Sequence, residues 1–119
     1  MWSRLDDELI DHRKIFAAGE LIGKNGPAIA IGFYAVALMW ANKHLTDGHL
    51  PMPVIKSFRH VENPTSIADA LAKAGLLDKN GNGFQIHDFE EWNPSAKAIK
   101  KKRKDDRLRK QQARARSRD

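Results

Sequence analysis

The stretch Leu76-Leu77-Asp78-Lys79-Asn80-Gly81-Asn82-Gly83-Phe84-Gln85-Ile86-His87-Asp88-Phe89 sets two apolar runs around an Asn-Gly-rich turn. That pattern predicts a β-hairpin. Phe84 and Ile86 alternate with polar neighbours, the two-residue period of a strand with one buried face. Immediately upstream, Ile67, Ala70, Leu71 and Ala74 recur at helical spacing, and Gly75 is placed to close the helix. Thr65 or Ser66 is expected to cap it, with Asp69 three residues beyond Ser66 completing a capping box.

Further outward, Val54-Ile55-Lys56-Ser57-Phe58 predicts a short helix after Pro53, broken by His60-Val61-Glu62-Asn63-Pro64. Gly48-His49-Leu50-Pro51 has room for a short strand, which proline confines to an edge or an end, and Thr46-Asp47-Gly48 reads as a tight turn. Asn25-Gly26-Pro27 starts a long helix, because proline at the first helical position loses no hydrogen bond. Ile29, Ile31, Phe33, Tyr34, Val36, Leu38, Met39 and Trp40 leave it apolar on nearly every face. It is therefore expected to be surrounded by other elements and to form the core. It should end near Asn42-Lys43-His44, where basic groups suit the helix dipole. Before it, Trp2 to Asp11 reads as extended and His12 to Ala17 as a short helix, with Trp2 and Leu5 packing back on the core. Gly19, Gly23 and Gly26 punctuate the connection.

The resulting order is helix, short strand, helix, helix, strand, turn, strand. It predicts an α+β domain over residues 1–94 of winged helix-turn-helix type: a three-helix core closed by a small sheet whose hairpin is the wing. The Thr65–Ala74 helix takes the recognition position.

With 119 residues the chain holds one core. It contains no cysteine, which excludes disulfides, cysteine-zinc sites and thiol catalysis. The acidic opening Asp6-Asp7-Glu8 is unlike a secretory n-region. The apolar run from Pro27 to Ala41 is shorter than the roughly 20 residues that a bilayer requires. A cytoplasmic protein without membrane contact is expected.

The formal charge of +6 is unevenly placed. Residues 95–119 carry twelve Lys or Arg against three Asp, while residues 1–94 carry nine against twelve Asp or Glu. A basic C-terminal segment thus follows a mildly acidic body. Ser95, after Trp92-Asn93-Pro94, is expected to cap a final helix from Ala96 to about Lys104. Beyond Asp105-Asp106 the segment offers no usable apolar face, so a frayed or disordered tail is expected there.

Several stretches resemble small proteins encoded in phages and prophages. They are Trp2-Ser3-Arg4-Leu5-Asp6-Asp7, Leu45-Thr46-Asp47-Gly48, Ala74-Gly75-Leu76-Leu77, Gly83-Phe84-Gln85-Ile86-His87-Asp88-Phe89 and Trp92-Asn93-Pro94-Ser95. Those proteins resemble in turn the N-terminal winged-helix domain of phage replisome organisers and replication initiators. The resemblance runs in order through residues 2–95 and includes the basic tail. It implies a DNA-binding role in phage DNA replication or its regulation, within the bacterial host cytoplasm. Replisome organisers also carry a C-terminal domain that recruits helicase or its loader; none is expected here, so only the DNA-binding half of the role carries over.

The candidate nucleic-acid-binding residues fall in three groups. In the tail, Lys97, Lys100, Lys101, Lys102, Arg103, Lys104, Arg107, Arg109, Lys110, Arg114 and Arg116 can neutralise phosphates, giving salt-dependent affinity without sequence preference; an Arg-rich segment suits RNA as well as DNA. In the recognition-position helix, Thr65, Ser66 and Lys73 can hold phosphates. It carries no arginine for guanine and no Asn or Gln for adenine, and Asp69 repels phosphate, so a purely structural helix is the competing reading. In the hairpin, Lys79, Asn80 and Asn82 are small or basic enough to enter a minor groove or touch phosphate, although tight hairpins need Asn-Gly pairs regardless.

Other chemistry finds little footing. Asp78-Lys79-Asn80-Gly81-Asn82-Gly83 matches the first half of a calcium loop, but Phe89 stands where the bidentate glutamate belongs. The five histidines are scattered, and His87-Asp88 reads as a strand-end hydrogen bond. No nucleophile elbow, P-loop or dinucleotide fingerprint is present. Neither enzyme activity, metal nor cofactor is expected. Two rivals to the replication reading remain: a docking module for a host replication or transcription factor or a phage replication protein, and a transcriptional regulator, which would need a dimer and a symmetric operator. Oligomeric state is open.

Overall fold

Asp7–Asp11 forms a turn of 3-10 helix whose Leu9 is buried, and His12 then caps α1, Arg13–Ile22, through a hydrogen bond from the Lys14 N–H to its Nδ1 at 3.1 Å. These are the first elements of a computed structural model that describes residues 5, 7–89 and 96–118. The expected contact of Trp2 with the core, and Ser95 as a cap, lie outside the described residues. Leu5 does not pack as expected: it is exposed, and Leu9 takes the buried position.

The helix expected around His12–Ala17 continues to Ile22, through Gly19. Gly19 is there for space. A Cβ on it would sit 2.6 Å from Pro27, and one on Gly26 would sit 1.9 Å from the Gly19 carbonyl oxygen. The missing side chains let α1 and α2, Gly26–His44, meet backbone to backbone across a 112° bend. Pro27 lies in the first turn of α2, as expected, and Lys43 and His44 in the last.

α1, not α2, is the hub of the helices: it packs on both α2 and α4, which touch each other little. The expectation that α2 is enclosed on all sides needs correcting. Ala30, Phe33, Ala37, Leu38 and Ala41 are buried, whereas Ala28 and Met39 are exposed and Ile31, Gly32 and Ala35 half-buried along the opposite face. Apolarity all round a helix does not by itself supply neighbours on every side.

At the end of α2, Asp47 and Gly48 both adopt positive φ in a turn closed by the His49 N–H to the Thr46 carbonyl, 3.2 Å. β1, His49–Pro51, and α3, Met52–Ser57, follow. α4 spans Pro64–Ala74. Its cap position is Asn63, with no side-chain capping bond, so Thr65 and Ser66 lie inside the first turn instead of capping it. Pro64 explains the shift: its ring presets the helical φ and it has no N–H to satisfy. Gly75, at φ 90°, ends the helix as expected.

β2, Leu77–Asn80, and β3, Gly83–Ile86, make the hairpin. The sheet is antiparallel in the order β1-β3-β2, with Leu50 opposite Phe84 and Leu77 opposite Ile86. All four side chains are buried. They meet Ile15, Phe33, Leu38, Ile55 and Leu71 from the helices in one core. Phe33 and Phe58 pack edge to face at 5.6 Å. At about 25 cal/mol per Å2, these side chains dominate the stabilisation.

The C-terminal segment forms α5, Ala96–Arg118, without a break. The part beyond Asp105-Asp106, expected to fray, is helical too. Between Arg107 and Arg116 only Leu, Arg, Lys, Gln and Ala occur, all strong helix formers with no β-branched residue, Gly or Pro. Asp106 pairs with Arg109 one turn on. The chain is therefore an α+β protein with five α-helices and a small three-stranded antiparallel sheet among the described residues. No single described helix is long and apolar enough to cross a membrane; α1 and α2 would qualify only as a pair, bent by 112°.

Candidate nucleic-acid interface

The three groups of candidates stand on α5, α4 and the β2–β3 hairpin. On α5 the side chains of Lys97, Lys100, Lys101, Lys102, Arg103, Lys104, Arg107, Arg109, Lys110, Arg114 and Arg116 are all exposed; between residues 97 and 116 only Ile99 and Asp106 are partly covered. Cations at this density repel one another in water at low salt. A polyanion laid along the helix removes that repulsion and releases its own counterions.

The α4 helix presents Ser66, Asp69 and Lys73 on its outer face, with Thr65 half-buried at the flank. Asp69 sits one turn from both Ser66 and Lys73, which places a carboxylate in the middle of the face. Lys79 on β2 reaches across to it, Nζ to Oδ1 3.6 Å, with both side chains largely solvated. A surface pair of this kind is worth no more than about 1 kcal/mol. It nevertheless occupies the carboxylate that would repel phosphate, and it draws one candidate cation away from solvent anions.

In the hairpin, Lys79, Asn80 and Asn82 are exposed. Asn80 also has structural work: its Oδ1 accepts from the Asn82 N–H at 3.1 Å, and its Nδ2 lies 3.4 Å from His49 Nδ1. The first bond closes an Asx turn that shapes the loop. Asn82 leaves its side chain at the tip. The segment that matches half a calcium loop is thus an antiparallel hairpin, with Phe84 and Ile86 pointing into the core. At its base His87 lies between two carboxylates, Nδ1 2.9 Å from Asp78 and Nε2 3.2 Å from Asp88. The hydrogen bond that His87 makes is to Asp78 across the hairpin; Asp88, its expected partner, stands 3.2 Å away without making that bond.

Exposed cations that the sequence reading did not single out include Lys56 on α3 and Arg59 in the connection to α4. Their sequence signal is only a spacing of three before a helix break, which specifies no chemistry. Lys14 is basic but committed elsewhere: its Nζ donates to the Gly75 carbonyl at 3.2 Å, tying α1 to the end of α4.

The structure thus separates a weakly charged α4–hairpin face, where Asp69 offsets a lysine, from a helix that is cationic along most of its length. No family model matches the chain, and neither a curated protein nor a solved structure matches it.

Proposed function

We propose that this chain is a winged-helix nucleic-acid-binding protein whose affinity comes mainly from α5, in the setting of phage DNA replication or its regulation. The observation that carries the reading is the exposure of every described Lys and Arg side chain on α5, a continuous helix. The strand order β1-β3-β2 and the placement of α3 and α4 before the hairpin support the winged-helix assignment. Hairpin tip and α4 lend orientation, through Lys73, Asn82 and the hydroxyls of Thr65 and Ser66; phosphate contacts position a protein on nucleic acid without specifying sequence.

The test is binding to random duplex as a function of salt, with the full chain and with residues 1–94. The logarithm of affinity should fall against the logarithm of salt with a slope of about −0.9 for each phosphate neutralised. Removal of residues 95–119 should abolish most binding and flatten the slope. Equal affinity of the shortened chain would sink the division of labour.

A second reading is favoured by the half-open apolar face of α2, with Ala28, Ile31, Gly32, Ala35 and Met39, on a body of net negative charge. In that reading the body docks on a replication or transcription protein and α5 is an accessory arm. Absence of binding to duplex, single strand and RNA at low salt would favour it.

A further inference from the structure

The order of residues along α5 places the charges unevenly around it. At 3.6 residues per turn, Arg103, Arg107 and Arg114 fall within an arc of about 40°. Lys100 and Lys104 flank this arc on one side and Lys110 on the other, all within about 120°. Asp105 projects from the far side of the helix, and Asp106 is turned off the stripe and paired to Arg109. The far side otherwise carries Ala98, Leu108, Gln112, Ala113 and Ala115 among scattered cations. The result is an arginine line with lysine shoulders, running about 21 Å from Lys100 to Arg114.

We propose that α5 lies in the major groove of duplex DNA, with the arginine line toward the base edges and the lysine shoulders on the flanking phosphates. This rests on the nucleic-acid reading above and narrows it to one ligand and one face. Three physical arguments select the ligand. A helix about 10–12 Å across fits a B-form major groove about 12 Å wide, whereas the A-form major groove of RNA is too narrow and deep for it. α5 has no Phe, Tyr, Trp or His, so it offers single-stranded bases nothing aromatic to stack on. Arginine and lysine also differ in the way the arrangement exploits: the guanidinium fork pairs bidentately with guanine O6 and N7, while the ammonium acts as a point charge for phosphate. A stripe about 21 Å long covers roughly 6 base pairs at 3.4 Å each.

The experiment compares two full-length variants with the same charge loss. One replaces the stripe: K100Q, R103Q, R107Q, K110Q and R114Q. The other replaces cations off it: K97Q, K101Q, K102Q, R109Q and R116Q. Glutamine keeps a helix propensity close to that of lysine and arginine, and circular dichroism checks that helicity is equal. The stripe variant should lose at least about tenfold more duplex affinity than its counterpart, and wild type should prefer duplex DNA to RNA and to single strand. A third variant, R103K/R107K/R114K, should keep affinity for AT-only duplex and lose any preference for G·C-containing duplex, since each good bidentate pair contributes about a tenfold discrimination or more. Equal losses from the first two variants would reduce α5 to an unpatterned polycation, overturning this proposal while leaving nucleic-acid binding intact. Tighter binding of RNA or single strand would overturn the choice of ligand. No binding by wild type would end both readings.

Discussion

Gly26 faces Gly19 so closely that a Cβ on Gly26 would lie 1.9 Å from the Gly19 carbonyl oxygen. Neither residue has positive φ, so this is a constraint of space between two helix backbones. An alanine in a helix ordinarily gains about 1 kcal/mol over glycine. G26A should do the reverse. Overpacking costs about 1–3 kcal/mol even where side chains can yield, and here the obstacle is backbone. With about 4–8 °C per kcal/mol for a domain of this size, the melting temperature should drop by roughly 10 °C or more. Thermal unfolding followed by circular dichroism is the measurement.

Gly32, on the same helix, supplies the control. A Cβ there meets nothing within 4 Å. G32A should therefore raise stability by about 0.5–1 kcal/mol, seen as a higher denaturant midpoint at unchanged slope. A loss of stability would show that the open face of α2 is covered in solution.

Gly83 opens the central strand β3 and pairs with Pro51 and with Asn80, at φ 153°. A Cβ there would lie 2.1 Å from the Leu50 carbonyl oxygen. G83A should displace β1 from β3 and cost about 2 kcal/mol or more. Hydrogen exchange at the Met52 amide, which donates to the Asn82 carbonyl at 2.9 Å, should accelerate before exchange in α1 does.

Ser66 lies within α4 and does not cap it. S66A should change stability by less than about 0.5 kcal/mol, against the roughly 1 kcal/mol lost when a working cap is removed. Chemical denaturation resolves the two outcomes.

Asp69 pairs with Lys79 and sits between Ser66 and Lys73 on the outer face of α4. D69N removes the carboxylate and releases Lys79. If α4 lies near phosphate in the complex, duplex affinity at low salt should rise by a factor of about 2–5, the range set by a surface pair of up to about 1 kcal/mol. No change in a filter-binding titration would remove α4 from the interface and leave α5 alone there.

Element types were largely legible in the residues, for local reasons. Pro27 after Asn25-Gly26, Gly75 after an apolar helical stripe, and Asn-Gly between alternating apolar residues each bias the backbone within a few positions. Start points were less legible where two local signals compete. At Asn63-Pro64-Thr65-Ser66 a proline start and a hydroxyl cap are both available, and the proline prevailed. The helical run beyond Asp106 was not legible from amphipathicity, because intrinsic helix propensity and not an apolar face favours it. Among the candidate site residues, the α5 cations were plain as a charge run. The Asp69–Lys79 pair, between residues ten apart in sequence, was not.

By itself the sequence determined the type of each element between His12 and Ile86, where the positive charge is concentrated, and, through residue spacing at 3.6 per turn, which face of α5 gathers the arginines; Asp7–Asp11, read as extended, is a 3-10 helix. Tertiary structure alone decided that α1 is the hub, that Gly19 and Gly26 exist for a backbone contact, and that Lys14 and Lys79 are engaged by Gly75 and Asp69. The reason is range. Propensity, capping and helical periodicity act between near neighbours in the chain, whereas a close approach of two backbones or a bond between distant side chains depends on how whole elements pack.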